Sequence, residues 1–387
     1  MRYRTFGLLA WRPSALGFGA MRLPLLHAGR RQARVGVDRV DRDAATEMLH
    51  YAVDHGVNYV DTAYNYHGGA SEAWLGQALQ GGYRERVMVA TKLPAWECAT
   101  RADFERLFSQ QLERLQLPAV DFYLLHSLVE STWRKVRDLG VLEWAEGALA
   151  DGRIGHFGFS FHDRYEAFEE IVNASDLWTF CQIQLNYMDT DHQAGLRGLR
   201  WAASKGLGVI VMEPVRGGQL AKAPPRIQRL WDEAPVRRSP AEWALQWVWH
   251  QPEVSVVLSG MSTLEQVKEN VAAAGRSGPG TLTEGELALV GRVRDTYREL
   301  AQVDCTGCGY CAPCPNGVDV AHILELVNDT AIYDDLERER QNYSWIGAGA
   351  RADRCTACGE CEERCPQHLA VAEWMQRADR LLGGGSS

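Results

Sequence analysis

Residues 87–127 read VMVATKLPAWECATRADFERLFSQQLERLQLPAVDFYLLHS. A short apolar run rich in β-branched residues (87–93) is followed by an amphipathic stretch of helical period (101–115) and then by a second apolar run (120–127). That alternation specifies parallel strands joined by helices. Working outward, the same pattern recurs over the first 300 residues, with candidate strands at Ser14–Met21, Val57–Ala63, Val87–Leu93, Val120–Ser127, Ile154–Phe161, Phe180–Tyr187, Gly208–Pro214 and Val254–Met261. Helical stretches such as Arg42–Asp54 and Trp133–Leu149 fall between them. Ser239-Pro240-Ala241-Glu242 reads as a capping box with proline at the first helical position, opening the helix before the eighth strand. Eight such units predict an α/β fold, a closed (β/α)8 TIM barrel. An open doubly wound sheet would want a glycine fingerprint after its first strand, and Gly17-Phe18-Gly19-Ala20-Met21-Arg22 does not complete it.

After a final barrel helix at Glu284–Ala301 the texture changes to Cys, Gly and Pro punctuation. The division expected is a barrel over residues 1–302, a mainly α-helical domain over 303–382, and a disordered Gly-Ser tail over 383–387. Between the cysteine runs, Asp319–Arg340 is helical in pattern, with Ile323, Leu324, Leu326, Val327 and Ile332 available for an apolar face. No run approaches the roughly 18 to 20 apolar residues that spanning a membrane requires, and the N-terminal apolar stretch is interrupted by Arg12 and Pro13. A cytoplasmic protein is expected. With 41 Lys and Arg against 50 Asp and Glu, the formal charge is −9, and nothing supplies a basic face for nucleic acid or an anionic membrane. From Cys305 onward there are 13 acidic and 7 basic residues, a net of −6, so a macromolecular partner of that region should be basic where they touch.

Eight of the ten cysteines follow residue 304, in two tight runs, while Cys98 and Cys181 stand alone. In a reducing compartment such clusters mean metal ligation before disulfides. The second run, Cys355, Cys358, Cys361 and Cys365 followed by Pro366, has the spacing of a bacterial ferredoxin [4Fe-4S] site. The first, Cys305, Cys308, Cys311 and Cys314 followed by Pro315, is one residue shorter before its last cysteine. Two alternatives stay open: zinc, because paired CxxC units also make Cys₄ sites, and a single intact cluster, because of the shortened spacing.

Barrel enzymes place their chemistry at the C-terminal ends of strands. Asp61 closes the second strand, Lys92 the third and His126 the fourth, and Tyr66 lies five residues beyond Asp61. These four types make a coherent acid for carbonyl reduction. A tyrosine with pKa about 10 donates poorly near neutrality. An adjacent ammonium lowers that value, a carboxylate anchors the ammonium, and a histidine orients the carbonyl oxygen. Alone, Asp61 with Lys92 would read as a buried ion pair and His126 as a core histidine.

Asp61-Thr-Ala-Tyr-Asn-Tyr66, Ser71-Glu72, Leu75-Gly76, Ala90-Thr-Lys92 and Asp121-Phe-Tyr-Leu-Leu-His126 resemble the motifs of the aldo-keto reductases, in order and spacing, over roughly residues 1 to 300. The resemblance implies an NADP or NAD cofactor across the same rim and a small-molecule carbonyl or alcohol substrate. Ser160 and Gln182 match positions that hold the nicotinamide carboxamide, with Asn186 nearby. Ser262, Gln266, Glu269 and Asn270 match the segment gripping the adenosine end, where a helix opening near Thr263 offers its N-terminus to a phosphate. Phe161 replaces the asparagine usual after Ser160, Met212 stands at the ring-stacking position, His67 crowds the substrate mouth, and only Lys268 offers a cation near a 2′-phosphate. These features resemble a subgroup of aldo-keto reductases with a ferredoxin-like C-terminal domain. By that analogy one cluster takes Cys305, Cys308, Cys311 and Cys365, and the other Cys355, Cys358, Cys361 and Cys314. Hydride chemistry and one-electron clusters need a mediator such as a flavin to couple, and the Met212 position leaves room for a different ring. The expected function is therefore a carbonyl or alcohol oxidoreductase coupled to, or accompanied by, electron transfer through two clusters. The alternative is a redox-sensing or electron-transfer protein whose barrel binds a ligand without turnover.

Overall fold

The computed structural model describes residues 1–26 and 40–384. Of the expected disordered tail, 385–387 lie outside the described residues, and Gly383 and Gly384 form a turn. Eight parallel strands close a barrel: β1 (Leu16–Gly19), β2 (Tyr59–Asp61), β3 (Met88–Leu93), β4 (Val120–Leu128), β5 (Ile154–Phe161), β6 (Trp178–Gln184), β7 (Gly208–Met212) and β8 (Val254–Gly260). β8 pairs with β1 to complete the ring. The expected (β/α)8 barrel is thus the observed fold, and each predicted strand has its counterpart.

The period of two along a strand explains both the barrel core and the placement of the site. Tyr59, Ala90, Phe122, Leu124, Phe180, Ile210, Val256 and Leu258 form one buried cluster with Phe6 of the N-terminal segment, and Leu9 and Trp11 pack against it. Two residues further along the same strands stand Asp61, Lys92, His126, Gln182 and Met212. The parity that points the apolar residues inward therefore points the candidate site residues inward too, one layer nearer the C-terminal rim. Gly158 occupies the corresponding layer on β5, where a Cβ would lie 2.4 Å from the Phe180 carbonyl oxygen and 2.7 Å from its ring. Only glycine lets that ring fill the barrel beneath Ser160.

Two helices expected as continuous are broken. Trp133–Leu149 is divided into Glu130–Asp138 and Val141–Ala150 because Gly140 takes a left-handed conformation, φ +82°. Asp319–Arg340 is divided into Val320–Tyr333 and Leu336–Trp345: Asp334 caps the first with φ +52°, and the Asp335 carboxylate accepts the Arg338 amide at the start of the second. The Pro240–His250 helix begins on its proline as the sequence predicts.

Packing divides the chain into two compact units, Met1–Gly218 with Ala241–Glu284, and Gln219–Pro240 with Gly285–Ser387. Texture alone puts the boundary at 302/303. The helix Glu284–Glu299 instead packs mostly with the second unit, its buried Tyr297 ring 5.5 Å from that of Tyr333. Gln219 donates to the carboxylates of Asp329 (3.0 Å) and Glu339 (3.2 Å), drawing its segment into the same unit. Within that unit Ile323, Leu324, Leu326 and Val327 meet Tyr343, Val371, Met375 and Leu382 in a core against which five of the cysteines pack. Asn328 pins the entry to this domain, accepting the Gln302 and Val303 amides and donating to the Val303 carbonyl, each at 2.8 Å.

Candidate active site

Asp61 ends β2, Lys92 is the penultimate residue of β3, and the register that pairs Asp61 with Ala90 brings the two side chains together. Lys92 Nζ donates to Asp61 Oδ1 at 2.5 Å, to the Thr62 carbonyl at 2.7 Å and to the Tyr66 hydroxyl at 3.4 Å. Both members of the ion pair are buried, Lys92 only 1% exposed and Asp61 2%. Tyr66 opens a short 3₁₀ turn, Tyr66–Gly69, in the loop after β2. Its ring meets that of His126 edge-on, centroids 5.9 Å apart. A bulge aims His126: β4 slips in register against β5 between Leu125 and Leu128, Ser127 takes φ +52°, and its amide donates to Ser160 Oγ at 2.7 Å. The four residues singled out from sequence thus gather at one place.

Burial opposes the charge on Lys92, and the Asp61 carboxylate with the Tyr66 hydroxyl outweighs it, so the ammonium is held above its ordinary value. Burial pushes the Tyr66 phenol above its ordinary value of 10.0, against the pull of Lys92. This corrects the expected direction: in this site the ammonium limits a rise, because desolvating a phenolate costs more than one neighbouring charge returns. Burial, reinforced by Lys92, drives His126 well below 6.5, so its ring is neutral at neutral pH and can hydrogen-bond without carrying charge.

The expected cofactor residues line the same rim. Ser160 and Gln182 are register partners on β5 and β6. Ser160 Oγ accepts the Ser127 amide, leaving its proton to donate, and Gln182 Oε1 is buried without a partner among the described residues. One donor and one acceptor on adjacent inward positions fit a carboxamide. Met212 ends β7, half-buried. Asn186 is committed locally, accepting the Met188 and Asp189 amides and donating to Asp189 Oδ2 and the Glu213 carbonyl, so it braces the loop after β6. After β8, Thr263 caps the helix Leu264–Gly275, Gln266 accepts the Ser262 amide at 2.8 Å, Asn270 donates to Ser259 at 3.0 Å, and Glu269 is exposed.

Trp96, 38% exposed, escaped sequence reasoning. It stands 5.1 Å from the His126 ring, in the turn after β3, where an aromatic residue four positions beyond Lys92 is the available signal. In the second unit, Cys305, Cys308, Cys311 and Cys365 line one cavity with Val320 and Leu324, and Cys361 lies within electrostatic reach of Cys355 and Cys358. The fourth cysteine of the second run thus faces the first, as a crossing ligand must.

A closed eight-stranded barrel thus carries a buried Lys-Asp pair, a tyrosine and a neutral histidine at its rim. Residues 15–277 match the Aldo/keto reductase family and residues 304–370 a 4Fe-4S dicluster domain; the chain belongs to the aldo/keto reductase family and carries that domain at its C-terminal end. It is similar to the uncharacterized oxidoreductase YqkF of Bacillus subtilis, 25% identical over 318 residues that cover 74% of this chain and 94% of the relative. Among solved structures it is similar to the aldo-keto reductase AKR11C1 from Bacillus halodurans in its holo form, with TM-score 0.62, 25% identity and coverage of 76% of this chain and 96% of that one. An aldo-keto reductase from Klebsiella pneumoniae in complex with NADPH is similar at TM-score 0.60 and 25% identity, with the same coverage of each chain. Among the described residues no helix is long and apolar enough to cross a membrane.

Removing one side of the Lys92–Asp61 pair strands a buried charge. Asp61→Asn is expected to cost about 3–5 kcal/mol, read as a lower urea midpoint at unchanged slope; a midpoint equal to wild type would mean that Lys92 finds compensation elsewhere.

Proposed function

We propose that the rim interconverts small carbonyl compounds and alcohols with NADP or NAD, and that the domain over 303–382 holds two [4Fe-4S] clusters serving electron transfer. The observation that carries the first part is the Lys92 ammonium set between the Asp61 carboxylate and the Tyr66 hydroxyl. A bound reduced nicotinamide would supply hydride to the carbonyl carbon. Neutral His126 donates a hydrogen bond to the carbonyl oxygen and fixes its approach. As the C=O π bond opens, the Tyr66 proton passes to that oxygen, completing the alcohol and leaving a phenolate. The Lys92 ammonium stabilises that phenolate, and Asp61 keeps the ammonium in register until solvent returns the proton. Ser160 and Gln182 would receive the carboxamide and so orient the ring, while Ser262, Gln266, Glu269 and Asn270 would hold the far end. NADPH in the Klebsiella pneumoniae structure supports this cofactor class.

For the second part, Cys305, Cys308, Cys311 and Cys365 would ligate one cluster and Cys355, Cys358, Cys361 and Cys314 the other. The clusters would supply one-electron transfer to or from a partner, and the acidic balance of this domain favours a basic one. Coupling to the rim requires a two-electron to one-electron mediator such as a flavin.

Tyr66→Phe should lower carbonyl reduction by about 10²–10⁴-fold while leaving NADPH binding intact. Reduction needs the protonated phenol, whose pKa is raised. kcat/KM should therefore hold through neutral pH and fall only above pH 10.0, with alcohol oxidation rising over the same range. A fall in reduction near pH 6.5 would instead assign the acid to a histidine.

Anaerobically isolated protein should contain about eight iron and eight sulfide per chain, since two cubanes carry four of each. NADH or NADPH, with any native flavin retained, should bleach the cluster absorbance, or chemically reduced clusters should reduce added NAD⁺ or NADP⁺. Stoichiometric zinc without sulfide would sink the cluster assignment, and silence in both redox directions would sink the coupling.

A further inference from the structure

Ser71 and Glu72 have no part in the chemistry above, yet both are fully buried in the first turn of the helix Ala70–Ala78. Each ties that helix to one half of the rim. Ser71 Oγ lies 2.8 Å from Thr62 Oγ1, and the carbonyl of the same threonine receives Lys92. Glu72 divides its carboxylate between two tasks. Its Oε1 accepts the Thr91 hydroxyl at 2.6 Å and the Gln111 amide at 2.7 Å, and Gln111 also donates to the Lys92 backbone carbonyl at 3.0 Å. Tyr123, from β4, donates to Gln111 Oε1 at 2.7 Å and fixes the orientation of that amide. Glu72 Oε2 accepts Arg114 Nη1 at 3.2 Å. The same nitrogen reaches the Tyr64 carbonyl at 3.3 Å, and the guanidinium lies 4.4 Å from the centroid of the Tyr64 ring. Close approach of the two helices makes this reach feasible, since a Cβ on Gly76 would stand 2.5 Å from the Leu115 carbonyl oxygen.

One carboxylate oxygen thus holds the strand that carries Lys92, and the other, through Arg114, holds the loop that carries Tyr66. We propose that Glu72 and Arg114 are positioning residues for the rim, coupling the two elements so that the Tyr66 hydroxyl stays beside the Lys92 ammonium. The proposal rests on the reading of Tyr66 as the proton donor. Neither residue touches the reacting atoms; their effect passes through the 3.4 Å separation of Tyr66 and Lys92. That separation is sensitive. The loop from Thr62 to Asn65 has no strand or helix of its own to fix it, and Arg114 grips it at Tyr64.

Arg114 is about a third exposed on its side chain, and without it the Glu72 carboxylate keeps the Thr91 and Gln111 donors, so Arg114→Met is the variant expected to fold. Its effect is read in two ways. Without turnover, a phenolate difference titration of the Arg114→Met protein against the Arg114→Met/Tyr66→Phe double variant isolates Tyr66. Its pKa should rise above that obtained from wild type and Tyr66→Phe, because the phenol drifts from the charge that restrains it. With turnover, NADPH-dependent reduction of para-nitrobenzaldehyde should lose about 10- to 100-fold in kcat, as expected for a misplacement near 1 Å. NADPH Kd should stay within about twofold. Arg114→Lys, which keeps the charge, should recover part of both. An unchanged Tyr66 titration and kcat in Arg114→Met, alongside an inactive Tyr66→Phe, would overturn the positioning role and leave the rim reading standing. Loss of NADPH affinity and thermal stability in proportion to kcat would also overturn it, making the pair structural only. Turnover that survives Tyr66→Phe would overturn the rim reading and this proposal together.

Discussion

A lysine ammonium cannot remain charged inside a protein without a compensating group, and the rim of this barrel is arranged around that constraint. Lys92 is buried to 1% exposure and meets a carboxylate at 2.5 Å and a backbone carbonyl at 2.7 Å. Burying such a pair is costly, and the cost is recovered only when the geometry is good and the remaining donors are satisfied. Here β2–β3 register supplies the geometry, and the Thr62 carbonyl and Tyr66 hydroxyl take the other protons of the ammonium. The phenol is therefore a structural acceptor for the lysine and, under the proposed function, the group that gives its proton to the substrate.

Charge management also separates the roles of the two remaining polar groups. His126 is buried beside the same cation, and both burial and the Lys92 charge oppose its protonation, so it stays neutral. Tyr66 is pushed up by burial and restrained by Lys92. The environment sorts one residue into a fixed hydrogen-bonding partner and the other into a weak acid whose conjugate base is stabilised only where the ammonium stands. In the second unit the same concern takes another form. Thiolates of the proposed cluster ligands would add negative charge to a region already acidic in composition, and the iron of a bound cluster would offset it.

Much of this was legible in the sequence because barrel strands and their inward parity are local patterns. β5 has the predicted bounds, Ile154–Phe161, and Asp61, Lys92 and His126 fall on the parity of the core residues two positions earlier. What was not legible depends on distant packing. The rise in the Tyr66 pKa follows from how completely other elements cover it. The task of Glu72 requires Gln111 and Arg114 from a helix forty residues away in sequence. Gln219 joins the second unit through Asp329 and Glu339, which no local texture announces. The helix breaks at Gly140 and Asp334 were readable in principle, since both residue types favour the left-handed conformation that interrupts each helix.

Under the proposed function, carbon at the rim is reduced by hydride, with the proton delivered from Tyr66, and not by single electrons from the clusters. A single-turnover experiment with NADPH deuterated at its transferable position, carried out anaerobically on cluster-replete protein with para-nitrobenzaldehyde, addresses it directly. One deuterium per alcohol formed, bonded to the former carbonyl carbon, is the result expected. Alcohol carrying solvent hydrogen at that carbon, formed in step with cluster oxidation, would contradict it.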